Sequence, residues 1–126
     1  MKIYCGTDII EVERIKKAIL STPKFKEKIF TPTEISYAET KGDITKFQHY
    51  AGRFAAKEAI YKSISNIYAH VEFGQIEVIN DINNYGRPKV VIHNSEFNKT
   101  ASNIQIDVSI SHIKDYAIAY STASFL

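Results

Sequence analysis

Asp8 and Glu58 are the two carboxylates that solvation explains least. Asp8 lies in the strand-like run Lys2 to Val12 and shares one face of it with Tyr4, Gly6, Ile10 and Val12. Gly6 has no side chain and leaves room beside that carboxylate. Glu58 interrupts a mainly apolar stripe, spaced at three and four residues, that runs through Phe47, Ala51, Phe54, Glu58, Tyr61, Lys62 and Ser65. Taking an unpaired carboxylate out of water is costly, so such a group pairs with a cation, accepts hydrogen bonds or holds a metal. Mg2+ is commonly held by one or two carboxylates completed by phosphate oxygens and water, because it dehydrates reluctantly. Zinc has no cysteine or histidine cluster to bind in this sequence. Taken alone, Glu58 has a simpler use: an intrahelical pair with Lys62 one turn on, worth only ~0.5 kcal/mol when exposed.

Arg53 and Lys57 add two cations one turn apart on the same helical run, and Lys62 adds a third beyond Glu58. His112 stands where a strictly alternating strand ends and a hairpin turn begins, a place from which an imidazole can donate to a phosphate or shuttle a proton. Gly86-Arg87-Pro88 reads first as a turn, with glycine supplying backbone freedom and proline removing a donor. Neither Gly-x-Gly-x-x-Gly, Gly-x-x-x-x-Gly-Lys nor Gly-x-Ser-x-Gly occurs, so the usual nucleotide cradles and the serine nucleophile elbow are unsupported. Cys5, in an apolar strand with no cation beside it in sequence, reads as a buried structural thiol without a chemical role.

These residues need elements to hold them. Lys2 to Val12 reads as a strand and Glu13 to Leu20 as a helix, ended by Ser21, Thr22 and Pro23. Thr31 is the cap of a further helix, with Pro32 in its first turn, Glu34 completing a capping box and Phe30 stapling onto Ile35. Ile44 to Ser65 runs without proline as the longest helix, capped by Asp43 and weakened only at Gly52. Gln75 to Ile79 and Lys89 to Ile92 form a hairpin around residues 83–88, and Asn94 to Ala101 forms a short helix. Ile104 to Ser111 and Tyr116 to Ser121 form a second hairpin, turning over His112 to Asp115, with Ala117 and Ala119 making one side of the return strand small. The expected architecture is α+β, a single domain over residues 1–126 with a mainly antiparallel sheet packed against one long helix.

A chain of 126 residues, 44% hydrophobic and 24% charged, suits one soluble core. No run approaches the ~20 apolar residues that cross a bilayer, so no membrane association is expected. The opening strand has no leader-like pattern and the single cysteine permits no intramolecular disulfide, which together point to the cytoplasm. Net charge is only +2, yet Arg14, Lys16, Lys17, Lys24, Lys26 and Lys28 crowd one stretch against Glu27 alone. Such a patch favours an acidic partner. Nucleic acid is not expected, since Phe25 is the only aromatic interleaved there. A small binding module for an acidic protein, with Asp8 and Glu58 in structural pairs, competes with an enzyme, and magnesium dependence separates the two.

Five blocks occur in order: Gly6-Thr7-Asp8 through to Arg14; Phe30-Thr31 with Glu34; Arg53-Phe54-Ala55-Ala56-Lys57-Glu58-Ala59 through to Lys62; Gly86-Arg87-Pro88; and Val108-Ser109-Ile110-Ser111-His112. Through them the chain resembles, over nearly its whole length, the phosphopantetheinyl transferases of the small holo-acyl-carrier-protein synthase type. The resemblance implies that fold and a reaction moving 4'-phosphopantetheine from coenzyme A to a serine of apo acyl carrier protein, with release of 3',5'-adenosine bisphosphate, in support of fatty acid biosynthesis. It implies that Asp8 and Glu58 hold Mg2+, with Mn2+ as the alternative, against the pyrophosphate of coenzyme A. Lys62 and His112 would then face phosphate groups, while Arg53 and Gly86-Arg87-Pro88 seat the nucleotide end. Glu58, directly or through water, is the candidate base for the serine hydroxyl, and a metal-bound water is its rival. Arg14 is the expected carrier contact, assisted by Lys17, Lys24 and Lys28, and the family's homotrimers with sites between subunits are expected here. Ser63, where alanine is usual, and the residues between Tyr68 and Gln75 depart from the family pattern.

Overall fold

In a computed structural model, which describes residues 1–125, the chain runs β1 (Lys2–Glu11), α1 (Val12–Ser21), α2 (Phe25–Ile29), α3 (Pro32–Ala38), α4 (Asp43–Ile64), β2 (Ile76–Asp81), β3 (Arg87–Ile92), α5 (Ser95–Thr100), β4 (Ile104–His112) and β5 (Tyr116–Phe125). The expected α+β architecture with antiparallel strands over one long helix is present, but the strands divide into two sheets. A three-stranded sheet has the order β1-β5-β4, and β2 pairs only with β3. Residues of β1 and β5 alternate between the two faces, so Gly6, Ile10, Ala117, Ala119, Ser121 and Ala123 are buried beneath α4 while Ile9, Ile118 and Tyr120 face outward.

Small residues bring α4 onto that inner face. A Cβ on Gly6 would lie 2.0 Å from the carbonyl oxygen of Ala59, a distance no side chain tolerates. Farther along, the Ser63 hydroxyl donates to the Ile60 carbonyl at 2.7 Å and lies 3.0 Å from the Ser121 hydroxyl, so its extra polar atom relative to alanine is satisfied inside the core.

The opposite side of α4 is tied to the small sheet by ions. Thr31 and Glu34 form the expected capping box, the Thr31 amide donating to Glu34 Oε1 at 2.8 Å. The same carboxylate receives the Val78 amide of β2 at 2.8 Å and the Lys57 ammonium at 2.7 Å. Lys57, 0% exposed, also donates to the carbonyls of Phe73 and Ile76, so its three protons meet three acceptors. Burial pulls the ammonium below its ordinary pKa, and the Glu34 charge opposes that shift.

Several expectations need correction. Val12 starts α1 rather than ending β1, because the chain turns where the Asp115 carbonyl accepts the Val12 amide. Gly42, not Asp43, occupies the cap position of α4, and Asp43 lies in its first turn with no capping bond. His112 is the last residue of β4, paired with Ala117, rather than the first of the turn. Gln75 belongs to a 3-10 turn, Arg87 and Pro88 belong to β3, and β5 runs on to Phe125 because its pairing with β1 extends to Lys2. The five-residue α2 was not anticipated from sequence. Cys5 is exposed, since strand alternation puts it on the outer face with Thr7 and Ile9, where its sulfur accepts from the Tyr120 hydroxyl at 3.2 Å. Nor does α4 bury a single stripe: Arg53 and Lys57 are buried along with Tyr50 and Ile60 because two sheets flank the helix.

Removing one member of a buried pair strands the other charge. Lys57→Met is expected to lower stability by about 3–5 kcal/mol, and the Lys57→Met, Glu34→Gln double variant to lose clearly less than the sum of the single changes. Urea denaturation of the four proteins checks this, and additive losses would show that the two side chains do not act as a pair.

Candidate active site

The contact of Gly6 with Ala59 fixes which residues of β1 and α4 face each other on either side of it. It brings Asp8, half-buried on the inner face of β1, beside Glu58 and Lys62 of α4. The Lys62 ammonium donates to the Thr7 carbonyl at 2.9 Å and lies 3.5 Å from Asp8 Oδ1. It therefore reaches across to the strand instead of forming the helical pair with Glu58, and Glu58 has no ion pair within 4.0 Å among the described residues. Burial first, and then the Asp8 charge, push the Glu58 carboxyl above its ordinary pKa, with Lys62 pulling the other way.

Asp8, Glu58, Arg14, Ile15, Phe25 and Phe54 line a cavity of about 350 Å3. Two carboxylates facing each other at a half-buried wall repel unless a cation lies between them, which fits a hard metal. No group of three or more His, Cys, Asp or Glu side chains capable of holding a metal is found among the described residues. The donor set therefore suits Mg2+ or Mn2+, completed by water and substrate oxygens, and not a fully protein-ligated zinc site.

The remaining expected residues divide between other cavities. Arg53 and His112 meet in one of about 190 Å3, with Lys41, Thr45, Gln48, His49, Gly52 and Ile110. Gly86, whose φ of 73° suits glycine, joins Arg53 and His49 in an apolar neighbour of about 510 Å3 walled by Tyr37, Val78, Ile82 and Tyr85. Arg53 is buried and bonded to the Asn80 side chain of β2, and burial lowers its pKa. Arg87 and Pro88 instead face a third cavity of about 490 Å3 with Asp107, Ser109 and Tyr120. Sequence reasoning missed Lys41 and His49. His49 precedes Arg53 by four residues, so helical spacing alone would have put the two on one face.

The basic stretch sorts into used and free cations. Lys26 pairs with Glu39 at 3.7 Å and Lys16 lies over the Phe47 ring at 5.5 Å. Arg14, Lys17, Lys24 and Lys28 are exposed and pair with no carboxylate among the described residues. Arg14 also reaches the cavity of the carboxylate pair, which joins the basic surface to that site.

Residues 4–121 match the family model described as the 4'-phosphopantetheinyl transferase superfamily. The chain is 43% identical over 128 residues to the holo-[acyl-carrier-protein] synthase of Ruminiclostridium cellulolyticum, a match covering 98% of this chain and 93% of that one. The solved Chronobacterium ammoniagenes ACPS-CoA complex superposes with a TM-score of 0.85 at 27% identity, covering 100% of this chain and 99% of the other. The holo-(acyl-carrier-protein) synthase of Bacillus anthracis in complex with CoA (3',5'-ADP) superposes with a TM-score of 0.80 at 34% identity, covering 98% and 96%.

The raised Glu58 pKa carries a stability consequence. A carboxyl with a higher pKa in the folded than in the unfolded chain favours folding when protonated, and that advantage is lost as pH rises through the folded-state value. Glu58→Gln is therefore expected to melt above the parent at neutral pH without divalent cations, and the gap to close as pH falls into the ordinary carboxylate range. Thermal melts in chelator across that range check it; a variant that melts below the parent at neutral pH contradicts it.

Proposed function

The chain belongs to the 4'-phosphopantetheinyl transferase superfamily, and on that premise we propose that it transfers 4'-phosphopantetheine from coenzyme A to a serine of apo acyl carrier protein. The observation that carries this reading is the meeting of Asp8, Glu58 and Lys62 across β1 and α4, beside a cavity that opens next to Arg14. The carrier so activated serves fatty acid biosynthesis. A cytoplasmic setting accords with one cysteine that has no partner within the chain, and no helix among the described residues is long and apolar enough to cross a membrane.

In the reaction, the serine hydroxyl oxygen attacks the β-phosphorus of coenzyme A. A new oxygen–phosphorus bond forms, the pyrophosphate bond breaks, and 3',5'-adenosine bisphosphate leaves. Asp8 and Glu58 would hold Mg2+, which supplies positive charge to the pyrophosphate oxygens as the bond breaks. Glu58 would accept the serine proton directly or through one water. Lys62, held by the Thr7 carbonyl and Asp8, presents its ammonium to the transferred phosphoryl group. Arg53, His112 and Gly86 receive the nucleotide end, and Arg87 with Pro88 extends that surface along β3. Arg14, Lys17, Lys24 and Lys28 form the docking face for the acidic carrier, and the half-buried Phe25 and Phe54 give its serine-bearing end apolar contact.

The carboxylate pair and the Arg53–His112 group line cavities with no residue in common. This separation supports the homotrimer reading, in which one coenzyme A spans the metal pair of one subunit and the nucleotide residues of its neighbour. An interface is available on the outer sheet face, where Ile9, Tyr116, Ile118 and Tyr120 are 63%, 46%, 45% and 48% exposed. Ile9 lies opposite Ile118 and Thr7 opposite Tyr120, so the apolar side chains form one patch. Sedimentation should give a trimer, and Ile118→Glu should shift it to monomer with loss of transfer; a monomeric parent that is fully active would end this reading.

Intact-mass measurement of apo acyl carrier protein with coenzyme A tests the reaction itself. A gain of one phosphopantetheine is expected with Mg2+, none with excess chelator, and none with Asp8→Ala or Glu58→Ala. The Lys17→Glu, Lys24→Glu, Lys28→Glu protein should show a raised, salt-sensitive KM for the carrier. No mass gain with several apo carriers would overturn the transferase proposal, and an unchanged KM would overturn the docking face.

A further inference from the structure

The cavity of about 190 Å3 beside Arg53 has no carboxylate among its lining residues. Lys41 from the segment before α4, Arg53 from α4 and His112 from β4 all bring cationic or ionisable nitrogen to His49, and the Tyr37 ring of α3 lies 4.9 Å from the imidazole. Arg53 is only 7% exposed and bonds the neutral Asn80 side chain, with no ion pair within 4.0 Å among the described residues. Burial, followed by the charges of Arg53, Lys41 and His112, pushes the His49 pKa down to about 4. Cations gathered at a half-enclosed wall form a site for an anion; Glu34, the carboxylate that acts on Arg53, lines the adjoining cavity, and its oxygens are taken by Lys57, Thr31 and Val78. The volume accommodates a phosphate but not a nucleoside, for which the adjoining apolar cavity, sharing His49 and Arg53, has room.

We propose that His49 is a further nucleotide-positioning residue, binding the phosphate monoester of the nucleotide end as an imidazolium and taking up a proton as that phosphate enters. The inference rests on the coenzyme A reading above and adds the proton linkage. In the free protein His49 is neutral at physiological pH, which relieves repulsion among Lys41, Arg53 and His112. A phosphate dianion reverses the sign of the local field and restores the charged form. Affinity for a ligand with a 3'-phosphate therefore rises as pH falls through the His49 pKa of the complex, and a ligand without that phosphate lacks this component.

The test uses the 15N-histidine-labelled protein with Mg2+, titrated at neutral pH with coenzyme A or with 3'-dephospho-coenzyme A. Long-range proton–nitrogen spectra should show His49 passing from neutral imidazole to imidazolium with coenzyme A only. In parallel, His49→Asn should weaken coenzyme A binding about tenfold at pH 6 and much less at pH 8, leaving dephospho-coenzyme A unaffected. The comparison with this variant cancels protonation of the phosphate itself. A His49 that stays neutral in the complex, or an asparagine variant with the parent's pH profile, overturns this inference and leaves the transferase proposal standing. Failure of both nucleotides to bind overturns both.

Discussion

Lys57 is enclosed with its ammonium bonded to Glu34 and to the carbonyls of Phe73 and Ile76, and the placing of three elements depends on that contact. Glu34 comes from α3, the carbonyls from the 3-10 turn before β2 and from the first residue of β2, and the ammonium from the middle of α4. A charge without water can be kept only where its partners are held, so the pair fixes the rotation of α4 about its own axis. The next residue along that helix is Glu58. Its direction follows from the direction of Lys57, about 100° away around the helix.

On the other side of α4 the constraint is steric. Gly6 allows β1 to approach the Ala59 carbonyl, and the alanines of β5 keep the remaining sheet low. An ionic clamp on one side and a glycine contact on the other leave the helix little freedom to turn. Asp8, Glu58 and Lys62 are thereby held as a constellation by rigid elements rather than by loops, which suits a reaction whose catalysis rests on charge placement. The same arrangement has a cost in stability, because two carboxylates are pressed together where burial and mutual repulsion raise the Glu58 pKa. A divalent cation held there would remove that repulsion, and its binding would then be linked to local stability.

The helix also divides the molecule. Its β1 side carries the carboxylate pair and the route to the basic surface, while its β2 and β4 side carries Arg53, His49 and His112. The outer face of the three-stranded sheet, rich in Ile and Tyr, touches these sites only at its margins, through Ile9 at the carboxylate cavity and Tyr120 at the cavity of Arg87 and Pro88. In the proposed trimer, assembly through that face would give the separated halves a means of meeting.

Much of the site was legible before any fold. Asp8 and Glu58 stood out because charge in an apolar strand and on an apolar stripe is expensive, and local spacing was enough to reveal that. The Thr31–Glu34 capping box was equally plain, because its bonds span three residues. Strand alternation also set which residues of β1 and β5 share a face, though not which face meets the core; Cys5, on the outer one, is exposed. The sequence by itself thus determined most of the element types, the two poorly solvated carboxylates, and the basic stretch. Only the tertiary structure decided that Lys57 serves Glu34, that Lys62 turns to Asp8 rather than Glu58, that the strands form two sheets, and that His49 joins Arg53 and His112. Each of these depends on contacts between segments far apart in the chain, and periodicity carries no information about which distant segment will cover a given face.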